Sequence, residues 1–226
     1  MDKSKTILIL CAMKTEAKPF VEALTEATVS KKGSLQIYEG LLDNTKVVLA
    51  FNAIGVKKAA AATRFLLKKF DVACLVMSGT AGAIASRLEI GDTVVATETV
   101  FHDRNDDTVF PASEDLLGRC REALLKHPVA QPIHFGRVAT GKDFVRKSQR
   151  AAIISDYNPL CVEMESAAVA QICGEQGVPF LAIRSISDTE AKSGLLSFWR
   201  HAKQASESSF LVTRALLNSA AFLDKI

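Results

Sequence analysis

Residues 56–82 read VKKAAAATRFLLKKFDVACLVMSGTAG, and two different periods meet inside them. Over Val56–Phe70, the positions Val56, Ala59, Ala60, Thr63, Leu66, Leu67 and Phe70 recur at helical intervals, with Lys57, Arg64 and Lys68 opposite. That spacing predicts an amphipathic helix with a solvated basic side. Over Val72–Met77 every position is apolar, which predicts a strand covered on both faces, as in parallel sheets. A helix feeding a doubly buried strand is the repeating unit of an α/β fold. The segment then ends in Ser78-Gly79-Thr80-Ala81-Gly82, which reads either as a tight turn into a helix or as a strand end facing a ligand. It has neither the P-loop pattern nor the spacing of a dinucleotide fingerprint.

Working outward, the same alternation recurs. Apolar runs at Ile7–Ala12, Leu35–Leu41, Lys46–Phe51, Thr93–Thr97, Ile133–Thr140 and Val178–Ser187 predict further strands. Helical patterns cover Ser113–Lys126, Glu165–Gln176 and Ser206–Phe222, with Gly177 and Pro179 punctuating after the second of these. Leu35–Leu41 and Lys46–Phe51 flank Asp43-Asn44 and predict an antiparallel hairpin, so the sheet is expected to be mixed. No linker, repeat or low-complexity segment interrupts residues 1–226. The expectation is one three-layer αβα domain with a central mixed β-sheet.

Composition narrows the function classes. The 28 basic and 25 acidic residues of this 226-residue chain leave a formal net charge of +3. That balance is too even for a nucleic-acid or membrane-surface binder, whose basic residues would dominate one face. No stretch approaches the ~20 apolar residues of a membrane span. Ile7–Met13 is followed by Lys14, Glu16 and Lys18 without a small-residue cleavage site, so it is not read as a signal peptide. Cys11, Cys74, Cys120, Cys161 and Cys173 form no C-x-x-C pair and sit among apolar neighbours, which predicts reduced core cysteines and a cytoplasmic setting. The four histidines lack ligand spacing, so neither a metal nor a cofactor is expected. A small-molecule enzyme or binding module remains.

Ligands of open α/β sheets collect beyond the carboxyl ends of strands. Ala12-Met13-Lys14-Thr15-Glu16, Ser78–Gly82 and Arg184-Ser185-Ile186-Ser187-Asp188 are placed there, and Val162-Glu163-Met164-Glu165-Ser166 carries two acids into a helix. Each also has a purely structural reading. Glu16 and Glu165 would suit a helix N-terminus, Asp188 a loop cap, and Met164 a core contact. Arg146, Lys147 and Arg150 follow helix spacing and are expected to face solvent.

Taken together, these four motifs stand in the order and spacing of one superfamily. The chain resembles the purine nucleoside phosphorylases, and most closely their hydrolytic branch, the methylthioadenosine/S-adenosylhomocysteine nucleosidases. The likeness extends over roughly Ile7 to Val212, and the pairing of V-E-M-E with R-S-I-S-D is its most specific part. The resemblance implies a nucleoside-phosphorylase-like fold and cleavage of an adenine nucleoside's N-glycosidic bond by water. It implies that Asp188 protonates the leaving purine, that Glu16 takes a proton from the water, and that Glu165 binds the ribose hydroxyls. It implies that Met164 packs on the sugar and Phe144 on the purine, and that backbone groups near Val145 read the base. Ser187 would orient Asp188, Thr80, Ala81 and Gly82 would line the floor, and Glu163 would join the substrate contacts. A homodimer is implied too.

The chain departs from the family pattern at several points. Lys14-Thr15 precede Glu16, Thr80 stands in place of a serine, and the acid of Gly141-Lys142-Asp143-Phe144 is displaced by one position. The segment Arg104–Ser113 is short and polar, with Phe110-Pro111 its apolar pair, which implies a more open pocket for the 5′-substituent. A futalosine or aminodeoxyfutalosine nucleosidase shares the acid set and stands as an alternative. A phosphate-dependent phosphorylase would need a phosphate-binding cation near Gly55, and a nucleoside-binding protein without activity would use the same fold.

Overall fold

A computed structural model describes residues 5–104, 107–189 and 195–218. The chain runs β1 (Thr6–Leu10), α1 (Lys14–Ala23), β2 (Thr25–Lys32), β3 (Leu35–Leu42), β4 (Thr45–Phe51), α2 (Val56–Lys69) and β5 (Val72–Ala83). It continues through β6 (Thr93–Phe101), β7 (Val109–Pro111), α3 (Glu114–Lys126), β8 (Ile133–Thr140) and α4 (Lys147–Tyr157). It closes with β9 (Cys161–Glu163), α5 (Ser166–Glu175), β10 (Phe180–Asp188) and α6 (Leu195–Leu217).

The strands form one mixed sheet. β5 pairs in parallel with β1 and β10 and antiparallel with β9. β10 pairs antiparallel with β6, β6 in parallel with β8, and β8 in parallel with β9. These pairings return to β5 and close a ring of strands. From β1 the sheet extends through β4, β3 and β2.

The two-faced burial expected of β1 and β5 is visible residue by residue. Leu8 and Leu10, with Leu75 and Met77, pack among Ala59, Leu66, Val169 and Cys173 of α2 and α5. Ile7 and Ile9, with Cys74 and Val76, pack instead among Phe20, Leu116, Cys120, Phe210 and Leu216 of α1, α3 and α6. Helices therefore cover both faces of the sheet, as the three-layer α/β expectation requires. All five cysteines are buried and free.

The hairpin turn also follows from sequence. Asp43 and Asn44 adopt φ of 49° and 68°, the left-handed pair that matches strand twist in a two-residue loop, and Leu42 faces Thr45 across it.

The structure differs from expectation in several places. Ser78–Gly82 is no turn; β5 continues through it to Ala83. β2 was not anticipated, because its sequence TEATVSKK is exposed at every position and carries no apolar signal. The segment expected to be a polar loop contains β7, which pairs with β6. α6 begins at Leu195, ahead of the expected Ser206, and residues 219–222 of the expected helix lie outside the described residues. Among the described residues, no helix is long and apolar enough to cross a membrane.

Candidate active site

Three strands and one helix start deliver the acids to one place. Just past β1, Glu16 sits in the first turn of α1 and is buried. Its Oε2 accepts from the Met13 amide at 2.9 Å, and its Oε1 accepts from the Thr80 amide at 2.8 Å and the Thr80 hydroxyl at 2.9 Å. Gly79 makes this approach possible. A Cβ there would lie 2.6 Å from Glu16 Oε1 and 2.7 Å from Arg184 Nη1.

Glu163 closes β9 and Glu165 precedes α5, so the two acids share a strand-to-helix corner but face different ways. Glu163 Oε1 accepts from the Thr140 hydroxyl and from the Ser166 amide at 3.0 Å. Its Oε2 accepts from the Glu165 amide and the Ser166 hydroxyl, both at 3.0 Å, and pairs with Arg184. The expectation that Glu163 contacts substrate meets a carboxylate whose two oxygens are turned to protein donors. Glu165 has one such donor for Oε1, the Gly55 amide at 2.8 Å, while Oε2 lies 3.7 Å from Arg184 Nη2.

Arg184 is fully buried behind these acids, its Nε and Nη2 donating to the Ser166 hydroxyl at 3.1 and 2.9 Å. Its Nη1 has no partner among the described residues. Burial works against its charge, but Glu163, Glu165 and Glu16 more than offset that and hold the guanidinium protonated. Burial pushes the Glu165 carboxyl well above the usual carboxylate range, and the neighbouring Glu163 and Glu16 push it further, against Arg184 and the Gly55 amide.

At the end of β10, Asp188 faces Gly82 of β5. The Ser187 hydroxyl lies 3.0 Å from Asp188 Oδ1 and 3.3 Å from the Ala81 carbonyl. A Cβ on Gly82 would come within 3.1 Å of Asp188 Oδ2, so the glycine lets the carboxyl lie against the strand. Burial raises the Asp188 pKa, opposed by the Ser187 hydrogen bond and by Arg150.

Glu16, Glu165 and Asp188 open onto one cavity of about 240 Å³. Thr80, Ala81, Gly82, Met164 and Ser187 line it, and Phe144 and Val145 reach it from the loop after β8. Glu163 lines it as well. That loop is held by the Gly141 amide on the Glu163 carbonyl and by the Lys142 amide on Asp103 Oδ2 at 2.8 Å.

The structure adds three lining residues that sequence reasoning did not single out: Ile54, Arg150 and Trp199. Arg150 contradicts its expected solvent-facing placement, because its Nη2 donates to the Ala83 carbonyl at 2.6 Å. Helix spacing groups Arg150 with Arg146 and Lys147 but does not tell which turn meets the sheet. Among the described residues, no cluster of His, Cys, Asp and Glu side chains is arranged to hold a metal ion.

Residues 6–224 match the family model of the Phosphorylase superfamily. The 5′-methylthioadenosine/S-adenosylhomocysteine nucleosidase of Actinobacillus succinogenes is 34% identical over 204 residues, covering 84% of this chain and 88% of that protein. The chain belongs to the methylthioadenosine/S-adenosylhomocysteine nucleosidase family of the phosphorylase superfamily. As a nucleosidase it is an enzyme, an N-glycosyl hydrolase. Its fold superposes on the Neisseria meningitidis nucleosidase in complex with methylthio-immucillin-A with a TM-score of 0.88 at 28% identity, over 95% of this chain and 99% of that one. It also superposes on the futalosine hydrolase of Helicobacter pylori with a TM-score of 0.87 at 26% identity, over 95% and 98% of the two chains. The nucleosidase thus shares its architecture with enzymes named for three different nucleosides.

Proposed function

We propose that this nucleosidase hydrolyses adenine nucleosides carrying a 5′-thio substituent, of the methylthioadenosine and S-adenosylhomocysteine type, to adenine and a free 5-substituted ribose. One observation carries this reading: Glu16, Glu165 and Asp188 meet in a single cavity in three different environments.

The environments divide the labour. Asp188 sits where burial favours its protonated form, which suits an acid that gives a proton to the leaving purine. Glu16 is held by three donors at the floor beside Thr80, which suits a base that orients a water beneath the sugar and takes its proton. Glu165 lines the cavity with no hydrogen-bond donor on Oε2 among the described residues, which suits the ribose hydroxyls. Bond cleavage leaves positive charge on the sugar, as in other glycoside hydrolyses, and carboxylates at that face stabilise it.

Glu163 acts through others: it holds the Glu165 backbone and neutralises Arg184. Phe144 supplies a face for the purine, Val145 its backbone groups, and Met164 an apolar wall for the sugar. Ser187 orients Asp188, while Thr80, Ala81 and Gly82 form the floor. The reaction needs water and no cofactor. The same carboxylates would repel an inorganic phosphate beneath the sugar, which favours hydrolysis over phosphorolysis.

The test is adenine release from methylthioadenosine and S-adenosylhomocysteine with and without phosphate. Release independent of phosphate is expected. Release that requires phosphate would establish a phosphorylase, and no release from either would point to a different nucleoside.

A second reading rests on the cavity mouth. Ile54, Phe144 and Trp199 are 50%, 53% and 54% exposed there, which suits a bulky aromatic 5′-group of the futalosine type. Hydrolysis of aminodeoxyfutalosine faster than methylthioadenosine would favour it. The same exposed apolar rim suits coverage by a second copy of the chain, and a homodimer is the assembly expected by light scattering.

A further inference from the structure

Arg150 is the one cationic side chain lining the cavity among the described residues. It lies in the first half of α4, and its guanidinium reaches the carboxyl end of β5. Nη2 donates to the Ala83 carbonyl at 2.6 Å and lies 3.4 Å from the Ile84 carbonyl. Ala83 follows Gly82, the residue whose backbone lies against the Asp188 carboxyl. The cation and the acid are therefore moored at adjacent residues of one strand end.

Among the described residues lining the cavity, Arg150 alone carries a positive charge that can balance Asp188. β10 contributes the Ser187 hydroxyl, and β5 contributes backbone at Gly82. The remaining titratable groups lining the cavity are the acids Glu16 from α1, Asp143 from the loop after β8, Glu163 from β9 and Glu165 before α5. None of them supplies a positive charge, and burial already favours the protonated form of Asp188.

An acid in such a setting holds its proton too firmly to be efficient, because proton transfer improves as the acid's pKa approaches the working pH. During cleavage the proton passes from the Asp188 carboxyl to a ring nitrogen of the purine as the C–N electron pair moves onto the base. The water that adds to the sugar gives its proton to Glu16. Asp188 is then left as a carboxylate in a partly buried, acid-rich site. A guanidinium at that spot lowers the free energy of this product state.

We propose that Arg150 is a positioning residue for the reaction, its guanidinium stabilising the Asp188 carboxylate that remains once the proton has moved to the leaving purine. The inference rests on the reading of Asp188 as the acid. Arg150 touches neither water nor sugar in this scheme; it acts through Asp188. The sign follows from the charge: without Arg150, Asp188 holds its proton to higher pH and gives it up more reluctantly.

Two measurements on wild type, R150M, R150Q and R150K test it. The first is the pH profile of kcat/KM for adenine release. The second is an infrared titration of the Asp188 carboxyl in the full chain without substrate, identified by its loss in D188N. In R150M the basic limb and the carboxyl band are expected to move to higher pH together. Turnover should fall roughly tenfold, a fraction of the ~10²–10⁴ that general-acid catalysis supplies. R150K, which keeps the charge, should return both toward wild type. R150Q keeps a donor for the Ala83 carbonyl while losing the charge, and covers the case in which R150M does not fold. A lowered melting temperature with limb and band unmoved would reduce Arg150 to a strand-end mooring and overturn the proposal. The two readings fail separately. D188N with normal turnover would remove the acid assignment, while the infrared band reports the Arg150–Asp188 coupling whatever the reaction.

Discussion

Glu163 and Glu165 stand two residues apart in V-E-M-E, and nothing in their residue type separates them. Their partners do: Glu163 is consumed by Thr140, Ser166 and Arg184, whereas Glu165 has one hydrogen-bond donor among the described residues, the Gly55 amide, and a longer 3.7 Å approach to Arg184. Sequence could therefore mark the pair but not divide it, since the division depends on the fully buried Arg184 of a different strand. At Asp188 the proposed role gives a direct expectation. Asp188→Asn should lower kcat by ~10²–10⁴ without lowering the melting temperature, as for loss of a general acid; turnover within a few-fold of wild type would refute it. At Glu165 the expectation concerns pH. Burial and then Glu163 raise its pKa, and the proposed role needs the ionised form. The acid limb of kcat/KM should accordingly lie well above the ~4 of an ordinary carboxylate, with activity lost as pH falls through it. A limb at the ordinary position would mean that a different group controls it.

Elements set these residues to within ångströms, and β5 does most of that positioning. Its apolar first half is readable from residues 72–77 alone, because burial on both faces leaves every position apolar. Its second half, Ser78–Ala83, mixes small and polar residues because Thr80, Ala81 and Gly82 line the cavity while Ala83 stays in the apolar core. Such a stretch resembles a turn by composition. β2 was hidden for the opposite reason: its backbone pairing with β3 is regular, but its side chains are all exposed. Gly79 tests the positioning argument. Gly79→Ala places a methyl against Glu16 Oε1 and Arg184 Nη1, and since one is fixed by Thr80 and the other by Ser166, neither can retreat freely. A cost of ~1–3 kcal/mol in stability is expected, as for other overpacked cores, together with loss of turnover. Leu66→Ala on α2 is the contrast. Leu66 packs under the sheet with no side chain in the cavity, so ~2–5 kcal/mol should be lost in denaturant titrations with KM unchanged.

For the molecule as a whole, the acids that carry the proposed chemistry work against the fold. The ordinary surface pair Asp43–Arg214 ties α6 to the β3–β4 hairpin, and Arg214 holds the Asp43 carboxyl below its usual range. Its stabilising contribution is present above the unfolded pKa and lost as pH falls through the folded one. Glu165 and Asp188 behave oppositely. Burial raises both, so the folded chain binds more protons than the unfolded one between the ordinary carboxylate value and the raised one. Stability is greatest below that window and falls as pH rises through it. The free enzyme should therefore melt at progressively lower temperature from mildly acidic toward mildly alkaline buffer. Glu165→Gln keeps an acceptor for the Gly55 amide and removes the buried charge, so it should flatten that slope. It should melt above wild type on the alkaline side and match it on the acidic side, while losing turnover, as expected where function is held at the expense of stability. If Glu165→Gln matched wild type on the acidic side and melted below it on the alkaline side, the Glu165 charge would be stabilising, with Arg184 outweighing burial and the two neighbouring acids. Differential scanning calorimetry of the two proteins across pH decides between these outcomes.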